Sequence, residues 1–343
     1  MPASPLTPVF LLTGFLGSGK TTLLNRLLIR SAWANSAVLV NEFGDIPVDH
    51  LLVRASSERI AVLSNGCLCC SVAGDMVKAL RELYFARANG EVPPFERVIV
   101  ETTGLADPAP ILHTLIDLPL AAARYAFAGI LTTVDAEHGM ATLDSHREAV
   151  KQVAVADRLI LTKLDRTNTT DAEAMRARLT TLNPSATLLD NTCDPAQLLD
   201  TSLAQAGVSR WLAFDRVAAA LRISGRAVPE LFSDGAVHDQ RVTSLALVHD
   251  APLDCGAFED ALQTLAEIAA ERLLRLKGIV NFAGENRPTA IHAVQHSIYP
   301  FASLPAWPDD DHRNRLVVIT RDLDENSVLR LLNPQIGHGW SVA

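Results

Sequence analysis

Residues Gly14 to Thr21 read GFLGSGKT, and the run lies between an apolar stretch, Val9 to Leu12, and a helix-period stretch, Thr22 to Ile29. A strand, a glycine-rich turn and a helix in that order commit the chain to a sheet covered by helices, because the strand has to bury its apolar faces against something. The pattern G-x-x-x-x-G-K-[ST] adds chemistry to that geometry. Its glycines let backbone N–H groups wrap a polyphosphate, its lysine reaches the terminal phosphates, and its hydroxyl is a ligand for Mg²⁺. The expected cradle is Gly14, Gly17, Ser18 and Gly19, with Lys20, Thr21 and Thr22 opening the helix.

From the start to about Leu203 the same alternation continues. Short β-branched runs are expected as strands at Val9 to Leu12, Ala37 to Val40, Ile60 to Leu63, Val98 to Val100, Ala128 to Val134, Leu159 to Leu161 and Ala186 to Leu189. Helical periods fall at Val72 to Ala88, Pro108 to Ile116, Glu148 to Val155 and Asp171 to Leu182. The expected fold is therefore α/β, a mostly parallel sheet flanked by helices, which binds ligands outside the carboxyl ends of its strands. Residues 1–205 form this domain, 206–240 a connector, and 241–343 a small α+β domain with strands at Val242 to Val248, Leu273 to Phe282, Ala290 to His296 and Leu316 to Thr320 and helices at Cys255 to Ala270 and Glu325 to Leu332. Gly284-Glu285-Asn286 marks a hairpin.

The length of 343 residues suits about two domains. A hydrophobic content of 48% with 20% charged residues fits a globular chain, and the net charge of -9 comes without a basic cluster able to follow a nucleic-acid backbone. No apolar stretch is long enough to span a bilayer, and the N-terminus lacks a positive region and cleavage site, so the expected location is the cytoplasm, with neither nucleic acid nor membrane as partner.

The polar motifs follow the strands. Asn41-Glu42-Phe43-Gly44-Asp45 comes after the second strand, Asn65-Gly66-Cys67 after the third, Glu101-Thr102-Thr103-Gly104 after the fourth, Asp135 after the fifth and Thr162-Lys163-Leu164-Asp165 after the sixth. The last is a strand-terminal [N/T]-K-x-D, whose carboxylate accepts the paired N–H donors of guanine that adenine lacks. Glu101 stands where an acid holds Mg²⁺ through its water shell, and Gly104 where a backbone N–H senses the γ-phosphate. Asp107 before Pro108 is a helix cap. Leu105 follows Gly104, so no glutamine is there to orient water, and unassisted hydrolysis should be slow.

Three of the five cysteines, Cys67, Cys69 and Cys70, crowd one tetrapeptide, which is poor geometry for disulfides. A turn after Gly66 brings the thiolates around one borderline cation such as Zn²⁺, with Glu42 as candidate fourth ligand and His113 a weaker one. Buried cysteines acting as small hydrophobes and a thiol redox switch are the competing readings. Cys193 and Cys255 are expected in the core, and His292 and His296, same-facing by strand period, as solvated or hydrogen-bonded strand histidines, with metal binding the competing reading.

With these motifs assembled, GFLGSGKTTLLN, VNEFGD, NGCLCC, ETTGLADP and TKLD, followed by Arg275-Leu276-Lys277-Gly278, Val294-Gln295 and Trp307-Pro308-Asp309-Asp310-Asp311, the chain resembles the CobW family of P-loop GTPases, relatives of the urease and hydrogenase maturation GTPases. The resemblance implies a metal-binding GTPase that delivers zinc or cobalt to a client metalloprotein under control of its nucleotide. By position, Lys20 and Glu101 are then the catalytic pair, Thr21 and Glu101 hold Mg²⁺, Glu42, Cys67, Cys69 and Cys70 hold Zn²⁺ or Co²⁺, Gly104 lies at the γ-phosphate, and Thr162, Lys163 and Asp165 take the guanine of GTP. A redox-sensing GTPase without metal delivery and a P-loop small-molecule kinase are the alternatives. The histidine-rich tract of many members is missing, since the connector has only His238 and the tail only His338.

Overall fold

A computed structural model of the protein describes residues 6–40, 50–54, 60–64, 72–117, 123–199, 212, 214–215, 217–219, 242–336 and 339–343. Its first sheet comprises β1 (Thr7–Gly14), β2 (Ser36–Val40), β3 (His50–Arg54), β4 (Ile60–Ser64), β5 (Arg97–Glu101), β6 (Tyr125–Asp135), β7 (Arg158–Thr162) and β8 (Thr187–Asp190), in the order β4-β3-β2-β5-β1-β6-β7-β8. The pairings of β1 with β5 and β6, of β2 with β5 and of β6 with β7 are parallel, as the alternating pattern predicts. β3 was not expected. It runs antiparallel to both β2 and β4, so two reversals return β4 to the direction of β2, with Leu39, Leu51 and Leu63 in one row.

Central strands of a parallel sheet are covered on both faces, which is why β1 reads as an unbroken apolar run. On one face Phe10 and Leu12 meet Leu23, Leu24, Leu27 and Leu28 of α1 (Lys20–Leu28), together with the buried Trp33. Each such fully buried leucine stabilises the fold by about 1.5–3 kcal/mol. The opposite face is covered by α2 (Val72–Ala88) and α3 (Ala109–Asp117), where Leu80, Leu83, Ile111 and Leu112 are buried. Later in the chain come α4 (Gly139–Ser145), α5 (Arg147–Ala154), α6 (Thr169–Leu182) and the single turn α7 (Ala196–Leu199).

The described residues fall into two compact units, the first drawn from 1–142, 158–172 and 189–200, the second from 143–157, 173–188 and 201–343. The second is built on an antiparallel sheet of β9 (Val242–His249), β10 (Leu273–Val280), β11 (Thr289–Val294), β12 (Ser297–Ile298), β13 (Ala302–Ser303), β14 (Asn314–Arg321) and β15 (Ser341–Val342). The expected hairpin joins β10 to β11. Leu245, Leu247, Leu276 and Val318 turn one face of this sheet toward α8 (Cys255–Ala269) and α9 (Glu325–Ile336). The other face packs Ala246, Val248, Ile279 and Val317 against Leu212, Phe214, Val217 and Ala218.

Residues 275, 277 and 279 share that second face by strand period. Arg275 and Lys277 are fully buried there and both reach Asp157, which also lies in the second unit, Lys277 at 3.1 Å. Arg275 donates in addition to the carbonyl of Val155. Removing a carboxylate that faces two buried cations is costly, so Asp157→Ala should lower unfolding free energy by about 3–5 kcal/mol in urea denaturation. A loss under about 1 kcal/mol, the range of exposed pairs, would mean that the cluster is solvated.

Candidate functional site

The loop between β1 and α1 is shaped by what lies beneath it. Gly14 has φ +141°, and a Cβ there would fall 2.4 Å from the Thr133 carbonyl oxygen and from its hydroxyl, so no side chain fits. Ser18 is fixed twice, its hydroxyl 2.7 Å from that of Thr133 and its carbonyl accepting from the Thr162 hydroxyl at 2.7 Å. Lys20 folds back over the loop, its Nζ donating to the carbonyls of Gly14 at 2.8 Å and Phe15 at 3.1 Å. Gly19 (φ +89°) brings no side chain to cap α1, and no acid stands in the helix's first turn. The N–H groups and positive end of α1 therefore face the loop uncompensated by any acid of that turn, which suits an anionic ligand. Around Gly17 a Cβ would meet nothing within 4 Å, and Thr21 and Thr22 are exposed.

Glu101 closes β5, is only 4% exposed, and accepts a hydrogen bond from the Thr21 hydroxyl at 2.6 Å. A buried carboxylate and a hydroxyl in contact are a hard-oxygen pair, the donor type Mg²⁺ takes through one or two protein ligands. The residues present therefore fit that ion. Behind Glu101, Thr102 donates its hydroxyl to that of Thr13 at 2.9 Å and its N–H to the Leu12 carbonyl at 3.0 Å. Gly104 passes directly over the loop, since a Cβ on it would stand 2.5 Å from the backbone nitrogen of Leu16. Asp107 caps α3 as expected, accepting from the N–H of Ala109.

The next two strand ends supply the remaining motif. Thr162 ends β7 beside Asp135 at the end of β6. Lys163 follows with φ 56°, and its Nζ meets Asp135 Oδ2 at 2.7 Å. Burial opposes ionisation of Asp135 but is outweighed by that hydrogen bond and by the N–H groups of Glu137 and His138, which hold its carboxyl below the usual carboxylate range. Asp165 lies exposed in the single 3₁₀ turn Leu164–Arg166.

The carboxyl-end rim thus brings together Gly14, Gly17, Ser18, Gly19, Lys20, Thr21, Thr22, Glu101, Gly104, Thr162, Lys163 and Asp165 in one unit. Glu42, Cys67, Cys69 and Cys70 lie outside the described residues. Val40 and Ser64, which end β2 and β4, share this edge by register. Among the described residues no group of three His, Cys, Asp or Glu side chains is arranged to hold a metal. His113 sits exposed on α3. His292 stacks on Tyr299 with ring centroids 4.3 Å apart, and burial keeps its pKa well below the ordinary value, with Arg275 adding to the effect. Cys193 packs beside the α1 core as expected, but Cys255 does not. It is exposed in the first turn of α8, directly after the cap Asp254. Sequence reasoning gave no role to Thr13, Thr102 and Thr133, whose hydroxyls lie under the loop. Their position in β-branched runs reads as strand propensity and gives no sign of it.

Comparison with known proteins gives a consistent picture. The model for the "CobW/HypB/UreG, nucleotide-binding domain" matches residues 8–190, and that for the "Cobalamin synthesis protein cobW C-terminal domain" matches 242–334. The chain is 30% identical over 320 residues to zinc chaperone YjiA of Escherichia coli, covering 93% of this chain and 96% of that protein. It is 27% identical to zinc chaperone CobW of Pseudomonas aeruginosa, over 95% and 90% of the two chains. The crystal structure of Zn(II)-bound YjiA GTPase from E. coli superposes with a TM-score of 0.66 at 28% identity, covering 96% of this chain and all of the other. No helix of the described residues is long and apolar enough to cross a membrane.

The crossing of Gly104 over Leu16 is testable on its own. Gly104→Ala has to push Leu16 backbone aside, an overpacking cost of about 1–3 kcal/mol. Nucleotide affinity, measured with a fluorescent nucleotide, should fall by about tenfold or more, a factor that corresponds to 1.4 kcal/mol, whereas wild-type affinity would show that the crossing is loose.

Proposed function

The chain belongs to the CobW family of P-loop GTPases, and from that premise we propose that it is a zinc or cobalt metallochaperone in the cytoplasm, using GTP to gate metal transfer to a client metalloprotein. The observation that carries the nucleotide half is the 2.6 Å contact of Thr21 with Glu101 beside a glycine loop that holds the Lys20 ammonium. Residues 1–205 are the GTPase domain on this reading, 206–240 the connector and 241–343 the C-terminal domain.

Each residue has a role its surroundings support. The N–H groups of the loop and of α1 bind the phosphates, and the Lys20 ammonium, now on two loop carbonyls, exchanges them for phosphate oxygens. The Thr21 hydroxyl and the Glu101 carboxylate hold Mg²⁺, which when bound neutralises charge on the phosphates. Gly104 lies against the loop where the terminal phosphate would be sensed. Leu105, the next side chain, is 54% exposed and carries no group that orients water, which supports slow hydrolysis without a partner. Asp165 accepts from guanine on its exposed turn.

For the metal half we assign Cys67, Cys69 and Cys70 with Glu42 as ligands of the cargo ion. Support comes from the thiolate-rich donor set, from the zinc chaperones among the relatives, and from the shared edge on which β2 and β4 end. Because 41–45 and 65–70 continue from strands of the sheet that carries the phosphate loop, nucleotide and metal are expected to couple.

Three measurements test this reading. Lys20→Ala should remove most GTP affinity and leave zinc binding intact, and loss of both in a folded variant would break the two-site scheme. Asp165→Asn should weaken GTP far more than ATP, because an amide mismatches the guanine edge, so equal losses would refute guanine recognition. Zinc titrated by calorimetry into apo, GDP-bound and non-hydrolysable-GTP-bound protein should bind several-fold tighter in the last, a coupling of about 1–3 kcal/mol that linkage makes reciprocal. Equal affinities in all three states would leave the metallochaperone without its switch.

A further inference from the structure

Lys163 is among four non-glycine residues with positive φ in the described chain, and it sits between two side chains whose places are already settled. Before it, Thr162 donates its hydroxyl to the carbonyls of Ser18 and Val134, and its own carbonyl accepts from the N–H of Ala136. After it, the 3₁₀ turn Leu164–Arg166 carries the exposed Asp165, with the N–H of Arg166 donating back to the Lys163 carbonyl at 3.0 Å. The left-handed backbone at Lys163 is therefore the hinge by which the chain leaves β7 and enters the turn. A side chain with a Cβ resists that conformation, and something has to hold it.

The holding group is Asp135. Its Oδ1 accepts from the N–H groups of Glu137 at 2.8 Å and His138 at 3.2 Å, which fixes the carboxylate and leaves Oδ2 for the Lys163 ammonium at 2.7 Å. The pair is partly buried, with side-chain exposures of 27% for Lys163 and 11% for Asp135. It is anchored to backbone on the Asp135 side, unlike a surface ion pair that must order two loose chains.

We infer that Asp135 is a positioning residue for guanine selectivity, holding Lys163 in the left-handed turn that presents Asp165 to the base. The inference rests on the GTP reading above and names a residue of the same site which does not itself meet the nucleotide. The phosphates are bound by the loop on β1 and α1, so loss of the Asp135 contact should reach the base and spare them. Base and phosphate effects then separate in one experiment.

Asp135→Asn keeps an oxygen for the N–H groups of Glu137 and His138 while removing the charge. Dissociation constants for fluorescent GTP and ATP are to be measured on the full chain for wild type, Asp135→Asn, Lys163→Met, the double variant and Asp165→Asn. Asp135→Asn should weaken GTP by about tenfold to a hundredfold, the range of a lost charged hydrogen bond, and leave ATP within about twofold. Lys163→Met should do the same, and the double variant should be no worse than either single one, because the two groups act as a unit. Should Asp135→Asn fail to fold, Asp135→Glu, which keeps the charge but displaces it from the Lys163 ammonium, carries the same test. Losses of GTP and ATP in parallel, a wild-type GTP preference in the single variants, or additive losses in the double variant would each overturn the inference. If Asp165→Asn abolishes the preference and Asp135→Asn does not, only the role of Asp135 falls. If wild type shows no preference for GTP, the guanine reading falls and takes this inference with it.

Discussion

Ser18 is the point on which the site turns. Its hydroxyl is held by Thr133 of β6 and its carbonyl by Thr162 of β7, so the phosphate loop is clamped to two neighbouring strands before any ligand arrives. Thr133 also fills the space that a side chain on Gly14 would need. A loop fixed this way loses little freedom on binding, and preorganisation of that kind is affinity gained without further contacts. The Lys20 ammonium rests meanwhile on the loop's own carbonyls, a polar arrangement that a phosphate can replace group for group. Because Thr162 also opens the TKLD turn that we propose reads the base, the loop and that turn share a single residue.

The rest of the rim follows from register. Glu101 lies level with Leu12 and Val40, and Asp135 with Thr162, so parallel strands deliver an acid, a loop and the Lys163 turn to one edge. The β3 excursion keeps that order. One reversal would send β4 toward the opposite edge, and the second returns Ser64 to the edge of Val40. The segments that follow β2 and β4, which carry Glu42 and the three clustered cysteines, therefore continue from the nucleotide side of the sheet.

How much of this could be read from the chain depended on the signal each residue leaves. The phosphate loop, the parallel strands and α2 were legible because glycine spacing, unbroken apolar runs and a 3.6 period report backbone geometry directly. β3 was not, since His50 to Arg54 is short, sits among charged neighbours and takes its place from pairing with β2. β12, β13 and β15 are two-residue strands, too short to show a period. Cys255 was misplaced because free cysteine is usually buried, whereas here the helix begins with a cap and turns its first residue to solvent. Asp135 was visible as a strand-terminal acid, but its contact with Lys163 depends on the left-handed turn after β7, which Lys163 gives no propensity reason to expect.

The second unit shows the same limit in charge. Arg275 and Lys277 alternate with Leu274, Leu276 and Gly278, a pattern that ordinarily marks a solvated strand face. Both are buried, because period 2 reports which residues share a face and not whether water reaches it. Burial of two cations around Asp157 then constrains what else can stand nearby. His292 pairs with Lys277 across the strands, and a third positive charge there would have to be desolvated beside the other two. Burial and the neighbouring Arg275 hold its imidazole neutral, while the flat stack on Tyr299 uses it as an aromatic plate. A histidine that would read as a metal ligand or pH switch in an open strand is here held below its ordinary pKa first by burial and then by the charge of Arg275.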